Sequence, residues 1–182
     1  LIENYDPRWP ELFRREADRI RAGLGDRALR IEHTGSAPIP GLVAKPVIDI
    51  LLVVADSSDE VNYAPEREAV GYILRFREPD WHEHRLFRGP DTEINLHIFS
   101  AGCPEIDRML TFRDRLRADT ADRDLYARTK LALAREQWAD VQNYADAKTA
   151  VIEEILARAG TQGAPIVRTR SPGTAEAESE GL

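Results

Sequence analysis

The run Val47-Ile48-Asp49-Ile50-Leu51-Leu52-Val53-Val54 constrains this chain more than any other segment. It is rich in β-branched residues and apolar at both alternating sets of positions, the pattern of a central strand covered on both sides. Side chains alternate along a strand, so Asp49 shares a face with Leu51 and Val53, opposite Ile48, Ile50 and Leu52. An ionised carboxylate there costs several kcal/mol unless it is paired, hydrogen-bonded or bound to a metal. Asp49 therefore demands a partner. The apolar stretch has strand length and falls far short of the roughly 20 residues that span a membrane as a helix, so no membrane partner is expected.

The flanking sequence reads as alternating elements. Asp6-Pro7 places a capping residue before a proline, and Leu12, Phe13, Ala17, Ile20 and Leu24 follow at helical spacing. A short strand is expected over Leu29 to His33. Thr34 to Pro46 holds two glycines and three prolines and reads as a constrained loop. A helix suits residues 58 to 70. Strands suit Tyr72 to Phe76, Arg85 to Arg88 and Glu93 to Phe99, the last two joined by a turn at Gly89-Pro90-Asp91-Thr92. From Pro104 to Ala159 the pattern is helical, with breaks expected near Asp119 and Asp140. The fold class is thus α/β (α+β), a mixed sheet with flanking helices followed by a helical C-terminal half. One domain is expected over residues 1–159. Residues 160–182 carry almost no apolar side chains and are expected to form a disordered tail. No internal repeat is visible.

Charge bears on the partner. The 182-residue chain has a formal net charge of -7, which argues against generic nucleic-acid binding but leaves room for a local basic pocket around one phosphate-bearing ligand. Its single cysteine, Cys103, excludes an internal disulfide and a zinc site built mainly of thiolates. It reads as a small residue before Pro104 at a helix start. Leu1 to Pro10 has no basic patch followed by an apolar stretch, so no secretory signal is expected and the cytoplasm is the expected location. Leu1 in place of Met leaves trimming or an unusual start open.

The chemistry concentrates in Ile31-Glu32-His33-Thr34-Gly35-Ser36, followed after twelve residues by Asp49. A Gly-Ser pair leaving a strand lets backbone amides and the Ser hydroxyl approach phosphate oxygens. This turn, with a strand-borne acid at that distance, resembles the signature of the nucleotidyltransferase superfamily related to DNA polymerase β. In that superfamily a second acid stands two residues after the first, and the two hold Mg2+ on a nucleoside triphosphate. Here that position is Leu51, and one carboxylate is weaker than two at gathering a divalent cation.

The wider pattern is similar to the GrpB-like family, from about Tyr5 to Ala159. The matching segments are Tyr5-Asp6-Pro7-Arg8-Trp9-Pro10, Ile31 to Ser36, Pro40-Gly41-Leu42 and Lys45-Pro46-Val47-Ile48-Asp49-Ile50. Leu96-His97-Ile98-Phe99, Phe112-Arg113-Asp114, Tyr126 with Lys130, and Tyr144 with Ala147-Lys148 continue it. Thr34, Ala37-Pro38 and Asn95 depart from the family's usual residues. The resemblance implies a nucleotidyltransferase fold, in a family that occurs alone and fused behind dephospho-CoA kinase.

A wider set of residues can serve such a site. Gly35, Ser36, Lys45, Lys130, Tyr144 and Lys148 are expected to bind nucleotide or phosphate. Lys45 stands before the strand, and the two Tyr-Lys pairs are four apart on helix faces; ordinary amphipathic packing explains those pairs equally well. Asp49 is the expected catalytic residue. Asp49, His97 and His33 can gather around a metal, Mg2+ or Mn2+, or around a phosphate; alternatively the histidines satisfy Asp49 in a structural network. Asn95 shares a strand face with His97. His82 and His84, near Trp81, are expected at the surface. Arg85 and Arg88 are expected to share a strand face and reach an anion. Two functions follow: transfer of a nucleotidyl group from a nucleoside triphosphate to a small acceptor, or a catalytically inactive domain that binds a nucleotide or a CoA-like ligand.

Overall fold

In the computed structural model, which describes residues 1–64, 70–136 and 141–160, the apolar run becomes strand β2 (Ile48–Val54), and each of its residues is buried. The strands around it are β1 (Arg30–Thr34), β3 (Ile73–Glu78), β4 (His84–Arg88) and β5 (Ile94–Ser100). They form one five-stranded mixed sheet in the order β1-β2-β5-β4-β3. β2 pairs with β1 antiparallel and with β5 parallel, while β4 pairs with β5 and β3 antiparallel. A strand so placed has neighbours on both edges and layers on both faces, which is why it tolerates no alternation of polar residues.

Helix α1 (Trp9–Leu24) covers one face. Its Trp9, Ala17, Ile20 and Leu24 pack with Ile48, Ile50, Leu52 and Val54 of β2 and with Leu96 and Ile98 of β5. The helix starts later than the expected Asp6-Pro7 cap: Arg8 is its N-cap and carries no side-chain cap hydrogen bond, while the Asp6 carboxylate accepts the Arg8 amide at 2.8 Å just ahead of it.

The other face is covered by α2 (Pro104–Ala118), α3 (Thr120–Arg135) and α4 (Val141–Arg158). Leu51, Val53 and Phe99 meet Ile106, Met109, Phe112, Tyr126 and Ile155 there, with Ile39 and Leu42 of the constrained loop closing the layer. Cys103 precedes Pro104 at the start of α2. Asp119 ends α2 and caps α3 by accepting the Asp122 amide at 2.9 Å. Buried Asp122 then takes Arg115 of α2 at 2.7 Å and Arg158 of α4 at 2.5 Å. Burial raises the Asp122 pKa, but these two guanidiniums outweigh it and hold the group below its ordinary value. The three helices are thereby locked at one end.

Three expectations reach the edge of the described residues. Within the helix expected over 58–70, Glu60–Asn62 forms a 3-10 turn and Ala64 is helical, while residues 65–69 lie outside the described residues. The break expected near Asp140 falls between α3 and α4, with Asp140 itself outside the described residues. The tail expected to be disordered also lies outside them from residue 161 onward.

Candidate phosphate-binding cleft

Strand register places the carboxylate. Asp49 lies opposite Thr34 of β1 and Asn95 of β5, and Leu51 lies opposite His97. Directly paired residues point the same way, so Asp49, Asn95 and His97 share the face covered by α2, α3 and α4. The His97 Nε2 is 3.1 Å from the Asp49 Oδ1. On its other side the carboxylate lies against the Gly-Ser turn. Gly35 has φ 73°, and a Cβ there would come 2.7 Å from the Asp49 Oδ2. Only glycine serves at this point, for both the backbone angle and the close approach.

Cations converge from separate elements on the same place. Lys130, buried on α3, donates from Nζ to the Ser36 Oγ at 2.9 Å and to the Val43 carbonyl at 3.3 Å. Its ammonium also lies 5.4 Å from the centre of the Tyr126 ring. Tyr126, one turn earlier, packs edge-on against Phe112 at 5.1 Å, so of this pair Tyr126 holds the helix down and Lys130 reaches the turn. Ser36, Lys45, Asp49, Lys130 and Lys148 together line a narrow cleft that encloses about 10 Å3 and opens to solvent. In a chain of net charge -7, three lysines and a single carboxylate line this one cleft.

Behind Asp49 runs a chain of two buried histidines and the half-buried Glu78 that sequence reasoning missed. The His97 Nδ1 is 3.1 Å from the His84 Nε2, and the His84 Nδ1 is 2.8 Å from the Glu78 Oε1. His84 is fully buried, not at the surface: its ring stacks on Phe99 at 4.8 Å and meets the edge of Trp81 at 5.1 Å. The strand begins at His84 rather than Arg85, which pairs it with Glu78 across β3 and β4. The signal available was the alternation of His84 with Leu86 on the sheet face that also carries His97.

Other expected residues are placed elsewhere. His33 pairs with Ile50, so it points to the α1 face, away from Asp49, where its ring stacks on Phe13 at 4.7 Å. Burial first, then the nearby charges of Arg117 and Arg113, push its pKa down to about 3. Tyr144 is half-buried on α4 one turn before Lys148 and does not line the cleft. Asn95 is buried beside Asp49, and its Oδ1 has no hydrogen-bond partner among the described residues. Arg85 and Arg88, three apart, fall on opposite strand faces. Arg85 pairs with Glu60 at 2.6 Å and Arg88 with Glu93 at 2.5 Å.

The donor set does not fit a resident divalent cation. Leu51, fully buried in the apolar layer, stands where a second carboxylate is needed. One Asp49 oxygen is engaged by His97, and the remaining charges at the cleft are ammonium groups. Hard cations need several oxygen ligands. Among the described residues no three His, Cys, Asp or Glu side chains gather as a metal site.

Among the described residues, a five-stranded mixed sheet, with a Gly-Ser turn set against a strand-borne carboxylate and four α-helices around it, defines a mixed α/β protein. The chain belongs to the GrpB family, whose model, "GrpB protein", matches residues 1–158. It is 64% identical over 159 residues to the UPF0157 protein BH1888 of Halalkalibacterium halodurans, covering 87% of this chain and 81% of that one. The crystal structure of conserved protein GrpB from Enterococcus faecalis superposes with a TM-score of 0.76 at 32% identity, covering 87% of this chain and 96% of that one. A dephospho-CoA kinase of Mycobacterium tuberculosis is 29% identical over 171 residues, which span 79% of this chain but 42% of that protein. A Cid1 poly(U) polymerase structure superposes at a TM-score of 0.46 with 11% identity, over 69% of this chain and 44% of that one. Among the described residues no helix is long and apolar enough to cross a membrane.

Proposed function

We propose that the cleft binds the phosphates of a small phosphorylated ligand, a nucleoside triphosphate or a CoA-like molecule. One observation carries this reading: Ser36, Lys45, Lys130 and Lys148, remote in sequence, line one cleft beside a Gly-Ser turn. Amide and hydroxyl donors orient phosphate oxygens, and ammonium groups neutralise them. The lysines supply the positive charge that a metal held by two carboxylates supplies elsewhere, so no step is assigned to resident Mg2+ or Mn2+.

Thermal unfolding with each nucleoside triphosphate, CoA and inorganic tripolyphosphate, with and without Mg2+ or Mn2+, tests the reading. At about 100-fold excess over Kd, a bound ligand adds roughly 2.7 kcal/mol. Stabilisation is expected without metal and is expected to vanish in Lys130→Met. No shift with any of these ligands overturns the reading.

Transfer of a nucleotidyl group is the second reading, favoured by the contact between Gly35 and Asp49 that sets the carboxylate beside the Gly-Ser turn. It requires release of pyrophosphate from a triphosphate, abolished in Asp49→Asn while the protein stays folded. Binding without turnover leaves the accessory domain as the function.

A further inference from the structure

Asp49 poses a conflict within the proposed cleft. The lysines attract an anion, yet a carboxylate in the same wall repels one. The hydrogen-bond chain behind Asp49 resolves this by proton count. Three contacts join four groups in line: Glu78 to His84 at 2.8 Å, His84 to His97 at 3.1 Å, and His97 to Asp49 at 3.1 Å. Each hydrogen bond needs one proton. Two neutral imidazoles carry one each, and two carboxylates carry none. Making all three bonds therefore requires one proton beyond that count. The groups meet end to end rather than around a common point, so the chain is not a metal cage.

We propose that Glu78, His84 and His97 form a proton relay that holds one resident proton and passes it to Asp49 when phosphate enters the cleft. The proposal rests on the phosphate-binding reading of that cleft. In the ligand-free protein, Lys45, Lys130 and Lys148 line the same cleft as the carboxylate, and positive charge in that wall favours its ionised form. Facing the two imidazoles, Glu78 is the partner carboxylate at the outer end, with a third of its side chain exposed, and Trp81, Phe99 and Leu86 are uncharged. The proton then sits on His84, which donates from Nδ1 to Glu78 and from Nε2 to His97, while His97 donates from Nε2 to Asp49.

An arriving phosphate occupies the ammonium groups and repels the carboxylate, which reverses the balance. The His97 Nε2 proton moves to the Asp49 Oδ1, and the His84 Nε2 proton moves to the His97 Nδ1. Glu78 keeps the proton donated by the His84 Nδ1. All three hydrogen bonds persist, the net charge of the chain is unchanged, and the negative charge has left the cleft wall. His84 and His97 are positioning residues in this scheme; neither touches the ligand.

Nitrogen NMR of the histidine rings in the full chain, with and without inorganic tripolyphosphate, tests the relay. The empty protein is expected to show both His84 nitrogens protonated and His97 protonated at Nε2 alone. Saturation is expected to move the His97 proton to Nδ1 and strip the His84 Nε2. In Asp49→Asn, which cannot take up the proton, tripolyphosphate is expected to bind with the rings unchanged. His84→Phe is expected to weaken tripolyphosphate binding about tenfold, because the relay then has no proton to pass on and Asp49 stays charged. Bound tripolyphosphate with unchanged rings in the natural sequence overturns the relay and leaves the cleft reading intact. No binding at all overturns both. Broadening of the His84 and His97 resonances by Mn2+ in the empty protein makes the chain a metal site and also overturns the relay.

Discussion

His33 and His97 stand on the two strands that flank β2, equally deep in the protein, and they meet opposite surroundings. His33 faces α1, stacks on Phe13, and has an Nε2 without a hydrogen-bond partner among the described residues. Two arginines lie near enough to oppose its protonation, and burial opposes it more strongly. His97 faces the C-terminal helices and is bonded at both nitrogens, to Asp49 and to His84. Burial alone does not decide what a histidine does. The face of the sheet decides it, by fixing whether the ring ends in hydrocarbon or in a chain of proton acceptors.

Acid denaturation breaks or confirms the first half of this comparison, and carries the largest expected effect. The folded pKa of His33 lies near 3 against 6.5 for the free group, so the unfolded chain binds a proton that the native protein refuses. The stability from neutral His33 is fully present above pH 6.5 and is lost as pH falls toward 3, at about 1.4 kcal/mol per pH unit. Urea unfolding across that window is expected to lose about 4 kcal/mol at its acid end from this residue. His33→Phe removes the contribution; an unchanged slope in that variant refutes the account of His33.

The second half is sharpened by His97→Leu. Removing the ring leaves Asp49 buried without its imidazole and His84 without an acceptor, an expected loss of about 3 kcal/mol by chemical denaturation. Asp49→Asn combined with His97→Leu is expected to recover part of that loss, because the uncompensated charge is gone. Simple additivity of the two changes contradicts the pairing.

Gly35→Ala comes next, at about 2 kcal/mol from the left-handed backbone angle alone. The added Cβ also presses on Asp49, so the variant is expected to weaken tripolyphosphate binding more than its stability loss explains. Arg88→Ala, which removes an exposed pair with Glu93, serves as the smallest change, within about 0.5 kcal/mol.

What could be read from the sequence follows from locality. The apolar run, the Gly-Ser turn and the four-residue Tyr-Lys spacing are local patterns, and each marks an element that exists. The convergence of Lys45, Lys130 and Lys148 followed from the family resemblance rather than from spacing, since three elements must dock before the lysines meet. His33 shows the limit. In β1, Thr34 rather than His33 lies opposite Asp49, and a one-residue difference in register sends a side chain to the other face of a sheet. His84 was hidden for a related reason. The turn before it holds His82 at φ 55° and Glu83 at φ 50°, backbone angles that non-glycine residues seldom adopt. That turn, which the sequence does not announce, starts β4 early enough to set His84 against Glu78.

A crystal structure of the full chain with inorganic tripolyphosphate and no added metal tests the central claim most directly. The expected result is a phosphate within hydrogen-bond distance of the Lys130 Nζ and the Ser36 Oγ, beside Gly35, with the Asp49 to His97 contact intact. Tripolyphosphate bound elsewhere, with the Lys130 to Ser36 hydrogen bond undisturbed and the cleft empty, contradicts it.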